Sequence, residues 1–388
     1  MRNSRRSAVD PFIVMDVMEA ARRAEAQGRH IIHMEVGQPG TAAPAGARVK
    51  VAEAIGQEPL GYTVALGLPA LRARIARLYK DWYNVDLDPD RVVVTSGSSA
   101  GFLLAFSALF DSGDRVGIGA PGYPSYRQIL KALGMTPVMI EAAAENRLQL
   151  LPSDLAPDRV GDLAGLMVAS PANPSGTMLD RAALAALIHA AQAQNTAFIS
   201  DEIYHGIEYE RKVVRALEIS DEVYVINSFS KYFSMTGWRI GWMVVPPDQV
   251  RVIERLAQNM FICPPHVSQV AALAAMECGA ELQENLAVYT ENRRMMIEGL
   301  PRAGFTNFAP PDGAFYVYAD VSDLTDDSRA FAAEILDKAG VAVTPGLDFD
   351  EARGAQTLRF SYARSTDDIR EGLRRLRDFM TDRPTNRR

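Results

Sequence analysis

From about residue 91 onward, short apolar runs alternate with stretches of helical periodicity. Val92-Val93-Val94, Val116-Gly117-Ile118, Leu166-Met167-Val168, Ala197-Phe198-Ile199 and Val223-Tyr224-Val225-Ile226 are short and mostly rich in β-branched side chains, so they predict buried strands. Strands that alternate with helices imply βαβ units around a mostly parallel sheet flanked by helices. An apolar helix over residues 102–110 fits between the first two strands. Ahead of them, Leu68, Leu71, Ile75, Leu78 and Trp82 recur at helical spacing, and Pro69 suits a first turn. Another helix opens near Asp10-Pro11 and stops at Gly28. The last hundred residues differ: helix at 291–299, strand at 314–318, helix at 331–338, strand at 358–362, and a final helix from about Asp367. This predicts an α/β protein with a smaller α+β domain, joined by the segment Ile31-Ile32-His33-Met34. The expected division is an arm and part of the small domain in 1–45, a large domain in 46–285, and the rest of the small domain in 286–388. No internal repeat or low-complexity segment interrupts the pattern.

With 388 residues, 48% of them hydrophobic, the chain can bury a large core. Its formal charge of -7 comes without a long run of one sign, which argues against a nucleic-acid surface and leaves small molecules as the expected partners. No apolar run approaches the roughly 18 residues that span a bilayer, so no membrane partner is expected. Ser4-Arg5-Arg6-Ser7 resembles a twin-arginine signal, but Asp10, Pro11 and Asp16 fall where its apolar segment should be. The segment reads as a frayed arm. Cys263 and Cys278 make no disulfide framework and match no zinc spacing, so buried apolar cysteines in a cytoplasmic protein, with no metal, are expected.

Candidate chemistry concentrates in Ser228-Phe229-Ser230-Lys231, which closes the last apolar strand, and in Arg239 beyond the turn Thr236-Gly237. Ligands of open α/β sheets sit at the carboxyl ends of the strands. A lysine there, desolvated and beside a cation, can lose its proton and attack a carbonyl to form an imine. Ser228 and Arg239 can hold a phosphate, and the combination suggests pyridoxal phosphate. The plain alternative is a solvated surface lysine. The S-x-x-K pattern of serine acyl-transfer enzymes is a second, but its other elements are reduced here to Ser200-Asp201-Glu202 and Met235-Thr236-Gly237, and Ser228 closes a strand where that serine opens a helix.

Other segments take their meaning from this one. Gly97-Ser98-Ser99, between a strand and a helix, offers free N–H groups and the positive end of a helix dipole, although a capped turn would look the same. Asp201 ends the strand at Ala197-Phe198-Ile199-Ser200, where a partly buried carboxylate needs a partner such as a pyridinium N–H; the ordinary reading is a helix N-cap. Asn173, held extended before Pro174, could donate to a phenolic oxygen or a carboxylate. Gly117-Ile118-Gly119-Ala120-Pro121-Gly122 matches G-x-G-x-x-G, but Pro121 and Pro124 interrupt the helix that a dinucleotide site needs there. It reads instead as a turn presenting Tyr123 to a ring.

Taken in order, Gly37-Gln38-Pro39, Tyr62, Gly67, Leu71-Arg72, Gly97-Ser98-Ser99, residues 121–126, Asn173-Pro174, Gly176-Thr177, Asp201-Glu202-Ile203-Tyr204, residues 228–239, residues 311–316, Pro345-Gly346 and Arg359 resemble the class I/II pyridoxal-phosphate aminotransferases of the aspartate-aminotransferase-like fold. The resemblance covers roughly residues 30 to 378. It implies amino transfer between an L-amino acid and a 2-oxo acid, within amino acid metabolism and biosynthesis, through a Schiff base on Lys231. It implies that Lys231 moves the Cα proton, Asp201 pairs with the pyridine nitrogen, Asn173 and Tyr204 bind the phenolic oxygen, and Tyr123 stacks on the ring. Gly97, Ser98, Ser99, Ser228 and Arg239 would cradle the phosphate, while Arg359, helped by Asn173 and Gly37, would grip the substrate α-carboxylate. Tyr62 would reach the phosphate of a neighbouring subunit, giving a homodimer with shared active sites.

Departures from the family pattern bear on the side-chain pocket. Gln38 replaces a common glutamate, Tyr123 a common tryptophan and Gly122 a common aromatic, and Phe261-Ile262-Cys263-Pro264-Pro265 is an unusual segment expected at the active-site rim. No arginine matches the family's distal-carboxylate clamp, so no preference for aspartate or glutamate is expected. Two other functions fit the same residues. One is a carbon-sulfur β-lyase; the other is a non-catalytic effector-binding module, for whose usual DNA-binding domain the short N-terminus leaves no room.

Overall fold

The computed structural model describes residues 2–383. Seven strands form one sheet in the spatial order Val92–Thr95, Gly241–Val244, Tyr224–Ser228, Ala197–Asp201, Gly165–Ala169, Arg115–Ala120 and Thr136–Glu141. All neighbours run parallel except Gly241–Val244, which is antiparallel to both of its own. Every residue of Val92–Thr95, Tyr224–Ser228 and Gly241–Val244 is buried. Helices cover both faces of such a sheet, which is why its strands read as unbroken apolar runs rather than as alternating ones.

Two strands escape the pattern of short apolar runs. Thr136–Glu141 carries Pro137, and a proline is tolerated because the strand lies at the sheet edge. Gly241–Val244 starts on a glycine directly after the Arg239 turn, and only the tertiary fold shows it returning between two parallel strands.

A second sheet of four antiparallel strands, Thr344–Pro345, Thr357–Ser361, Tyr316–Asp320 and Asn307–Phe308, is built from the C-terminal third. Beside it Ile32–His33 pairs in parallel with Val341–Ala342, so the N-terminal segment joins this part of the molecule. The expected strand at 314–318 lies two residues further on, because Ala314 sits in the left-handed region at φ +55 and cannot extend. The expected helix at 291–299 is one part of a 24-residue helix, Gly279–Arg302, whose first turns are masked in the sequence by Glu281, Gln283 and Glu284. The first helix is Ile13–Ala26, starting after Phe12 rather than at Asp10-Pro11.

Three further expectations change. The segment expected as a frayed arm holds a short 3-10 turn, Arg5–Ser7, with every residue exposed, and the chain is tied down just after it, where Asp10 pairs with Lys131 at 3.2 Å and exchanges hydrogen bonds with Gln128. Cys263 and Cys278 are partly exposed, not buried. Cys263 accepts a hydrogen bond from the Thr63 amide at 3.4 Å, which ties residues 261–265 to the loop bearing Tyr62 rather than to the rim of the same chain's cavity. No described helix is long and apolar enough to cross a membrane.

Candidate active site

The carboxyl ends of the central strands open onto a cavity of ≈ 350 Å³ closed from the other side by residues 36–38 and by the small-sheet strand Thr357–Ser361. Lys231, Asp201, Tyr204, Tyr123, Asn173, Ser98, Ser99, Arg239, Gly37 and Arg359 all line it. Residues spread over more than 300 positions of sequence are thus brought to one space by strand ends, a helix start and the small sheet together.

Asp201 is the last residue of its strand and is 3% exposed. Burial pushes its carboxyl up to about 6, against hydrogen bonds that pull it down: the Tyr126 hydroxyl donates to Oδ2 and the Ile203 amide to Oδ1 at 3.0 Å. Tyr126 was not singled out in the sequence. Its only signal there is its place one helical turn after Tyr123, in a helix that opens at Pro124.

Lys231 lies past the end of the neighbouring strand, and its Nζ donates to the Gly37 carbonyl at 2.7 Å. Its amine is pushed down to about 8, chiefly by burial, then by the charge of Arg359 and, more weakly, of Arg239, while Asp201 opposes the fall. Arg359 therefore outweighs Arg239, the cation the sequence suggested. Near neutral pH a usable fraction of this amine is free to attack a carbonyl.

Helix Ser98–Leu109 starts on Gly97, at φ +78, with no side-chain cap for its first amides. A Cβ on Gly97 would stand 2.4 Å from Arg239 Nη2, so only glycine lets the guanidinium rest against the helix start. Helix dipole and guanidinium lie side by side, and no described carboxylate pairs with Arg239; the arrangement is an anion site. Ser228 is one layer behind it. Its hydroxyl faces Ser230 Oγ at 2.8 Å and the Ile240 carbonyl, and Ser230, rather than Ser228, lines the cavity.

Opposite, Arg359 is 3% exposed and lies between the Tyr316 and Phe349 rings, with its guanidinium carbon 4.4 and 4.6 Å from their centres. It donates to Asn173 Oδ1 at 2.9 Å and to the Glu35 carbonyl at 2.5 Å, and its buried Nε has no partner. The Tyr204 and Tyr316 hydroxyls meet at 2.8 Å, and burial pushes both upward. A Cβ on Gly37 would fall 1.7 Å from the Tyr316 hydroxyl. Tyr62 does not enter this cavity: it is 83% exposed.

These residues fit pyridoxal phosphate. An uncapped helix start with a guanidinium suits a phosphate, a buried carboxylate with a raised pKa suits a ring N–H, and a buried amine with a lowered one suits an aldehyde. The orphaned Arg359 N–H adds a donor for a carboxylate substrate.

Residues 29–376 match the family model "Aminotransferase class I and II". The chain is 46% identical over 379 residues, covering 97% of both chains, to a valine–pyruvate aminotransferase of Mycobacterium tuberculosis. A solved structure from Silicibacter pomeroyi is 74% identical with a TM-score of 0.94, over 99% of this chain and 100% of that one. Aspartate aminotransferase of Thermus thermophilus, solved with maleate, is 29% identical with a TM-score of 0.91 over 98% and 100% of the two chains.

The buried carboxylate makes a stability prediction. Because its folded value lies above its unfolded one, Asp201 costs nothing below about pH 4, and the penalty grows to its full size above about 6. A rise from 3.8 to about 6 corresponds to about 3 kcal/mol. Cofactor-free Asp201→Asn should therefore resist urea more than the wild type at pH 7, by up to that amount, with the gain gone near pH 4. An unchanged or lowered midpoint at pH 7 would show that the carboxylate is not strained by burial.

Proposed function

The chain belongs to aminotransferase class I and II, and on that premise we propose that Lys231, Asp201 and Arg359 form its reaction centre, with a small aliphatic L-amino acid as donor. The protein is a transaminase, it moves amino groups between amino acids and 2-oxo acids, and its cofactor is pyridoxal phosphate. When bound, that cofactor supplies an aldehyde that condenses with amines and a pyridinium ring that accepts the electron pair left on the substrate Cα.

The single observation that carries this reading is the convergence, in one cavity, of a buried acid pushed up and a buried amine pushed down, between two guanidinium sites. Lys231 would hold the cofactor and carry the proton to and from the substrate Cα. Asp201, held by Tyr126 and Ile203, would pair with the ring nitrogen and favour its protonated form. Asn173 and Tyr204 would bind the phenolic oxygen, and Tyr123 would pack against the ring. Gly97, Ser98, Ser99 and Arg239 would take the phosphate, with Ser228 supporting from behind through Ser230. Arg359 grips the α-carboxylate with two parallel N–H groups, which fixes the plane of the substrate.

Phe12, Val14, Met15 and Val36 supply an apolar wall to the cavity, and among the described residues its only lining cations are Lys231, Arg239 and Arg359. Such a wall accepts an aliphatic side chain and leaves a second carboxylate unpaired. With the valine–pyruvate name of the M. tuberculosis relative, this favours L-valine and pyruvate as the exchanged pair.

The surface supports a homodimer with shared sites. Tyr62, Val64, Met260 and Ile262 are exposed, and residues 261–265 are tied to the Tyr62 loop. A second copy would cover this apolar patch and receive Tyr62 at its phosphate. The two cysteines are free, which suits a cytoplasmic, biosynthetic role in amino acid metabolism. A division at 1–45, 46–285 and 286–388 is proposed, supported by the seven-stranded sheet lying within 92–244 and the four-stranded sheet within 307–361, with residues 1 and 384–388 outside the described ones.

Borohydride reduction of the loaded protein should fix the cofactor to the peptide bearing Lys231, and L-valine should yield its oxo acid only while pyruvate is supplied. Label on another lysine would remove Lys231 from its role. Ammonia released without an acceptor would move the reaction to the β-lyase class.

Tyr62 tests assembly separately. Inactive Lys231→Ala mixed with a crippled Tyr62→Ala variant should recover part of the wild-type activity, because one site of each heterodimer holds both native residues. Verified subunit exchange with no recovery would rule out a shared site.

A further inference from the structure

Two of the cavity's three lining cations, Lys231 and Arg359, are held by backbone carbonyls of the segment 32–37. The Gly37 carbonyl accepts from Lys231 at 2.7 Å, and the Glu35 carbonyl accepts from Arg359 at 2.5 Å and from the Thr344 hydroxyl at 2.7 Å. The peptide of Glu35 is thus one of the supports that orient Arg359, beside Asn173 and the Tyr316 and Phe349 rings. On one side that peptide is fixed by Met34, whose amide donates to Ala342 and whose carbonyl accepts from Ser361.

On the other side it is fixed by its own side chain. Glu35 is 1% exposed, and its single partner is His33, whose Nδ1 lies 2.8 Å from Oε1; Oε2 has none. The other ring nitrogen of His33 reaches Glu25 Oε1, on helix Ile13–Ala26, at 3.0 Å. A buried carboxylate is expensive unless neutralised, and an apolar residue of the same size generally gives equal or better stability. Nothing in the cavity touches this carboxylate, so the arrangement is not explained by direct contact with a ligand.

We propose that Glu35, neutralised by His33 and braced through it against Glu25, is a positioning residue for Arg359: it holds the peptide whose carbonyl aims the guanidinium at the substrate α-carboxylate. The inference rests on the reading of Arg359 as the carboxylate-binding residue. Two carboxylates facing one imidazole keep it charged, and His33 is raised to about 9, with the hydrogen bond to Glu35 as the largest cause. Its folded value lies above its unfolded one, so the stability it contributes is complete below about 6.5 and is lost as pH rises through about 9. Above that pH the imidazole is uncharged, its ion pair with Glu35 is gone, and the peptide that this pair holds is released.

The test uses the loaded enzyme with L-valine and pyruvate, and measures KM for valine and kcat in Glu35→Ala, Glu35→Gln and His33→Gln, each in the wild-type and Arg359→Lys backgrounds. Loss of a charge-assisted hydrogen bond predicts a KM about tenfold higher in Glu35→Ala, with kcat changed much less, and partial rescue in Glu35→Gln, which keeps the shape and one acceptor. In Arg359→Lys, itself about tenfold or more impaired in KM, the Glu35 substitutions should add less than about twofold, because residues acting through one another are not additive. His33→Gln should show the raised KM already at pH 7, whereas the wild type should reach it only above about pH 9. The same KM in wild type and both Glu35 variants, or equal losses in the two backgrounds, would overturn the proposal while leaving Arg359 in place. A wild-type KM in Arg359→Lys would overturn the reading of Arg359 and this inference with it. If Glu35→Ala fails to fold, His33→Gln decides through its pH profile: a profile identical to that of the wild type contradicts the proposal.

Discussion

Removal of water from one pair of opposite charges is the constraint on which the rest of this structure depends. Asp201 and Lys231 sit at the ends of adjacent strands, where the same burial disfavours the ionised form of each and so drives an acid up and a base down. Their mutual attraction limits both movements: the Lys231 charge lowers Asp201, and the Asp201 charge raises Lys231. The result is a carboxylate still ionised at neutral pH and an amine partly free there. A surface pair would have kept ordinary values, and a fully isolated one would have been neutralised outright.

Everything around the pair serves to make that burial tolerable and to direct it. Tyr126 and the Ile203 amide donate to the carboxylate, the Gly37 carbonyl accepts from the amine, and the two guanidinium groups stand on either side as anion sites. The parallel sheet brings the strand ends together, and the small sheet delivers Arg359 on a strand whose every residue is buried. On the proposed reading, rigidity of this kind would hold a substrate in one plane, which is where much of the rate advantage of an oriented site arises.

The parts of this arrangement visible in the sequence are those that depend on local pattern. Five strands appear as apolar runs because both of their faces are covered, and Asp201, Lys231 and Gly97 stand at strand or helix ends that punctuation by glycine and serine makes readable. What the sequence hid depends on contacts distant along the chain. Tyr126 meets Asp201 across 75 positions, and Glu35 meets Arg359 across 324, and neither residue stands out where it lies. Ser228 was legible as a hydroxyl at a strand end, but which way it turns was not. Its neighbour Ser230 lines the cavity, because the chain after the strand coils rather than extends. The antiparallel strand Gly241–Val244 was hidden for a similar reason: strand direction is a property of its partners.

On the proposed reading, Asp201 stays ionised in its buried position and would hold a proton on the ring of the bound cofactor. The nitrogen-15 chemical shift of the ring nitrogen in isotopically labelled pyridoxal phosphate, bound to the protein near neutral pH, measures that directly. A protonated nitrogen in the wild type, lost in Asp201→Ala, is the predicted result. A deprotonated ring nitrogen in the wild type, or a protonated one that persists without Asp201, would contradict the account.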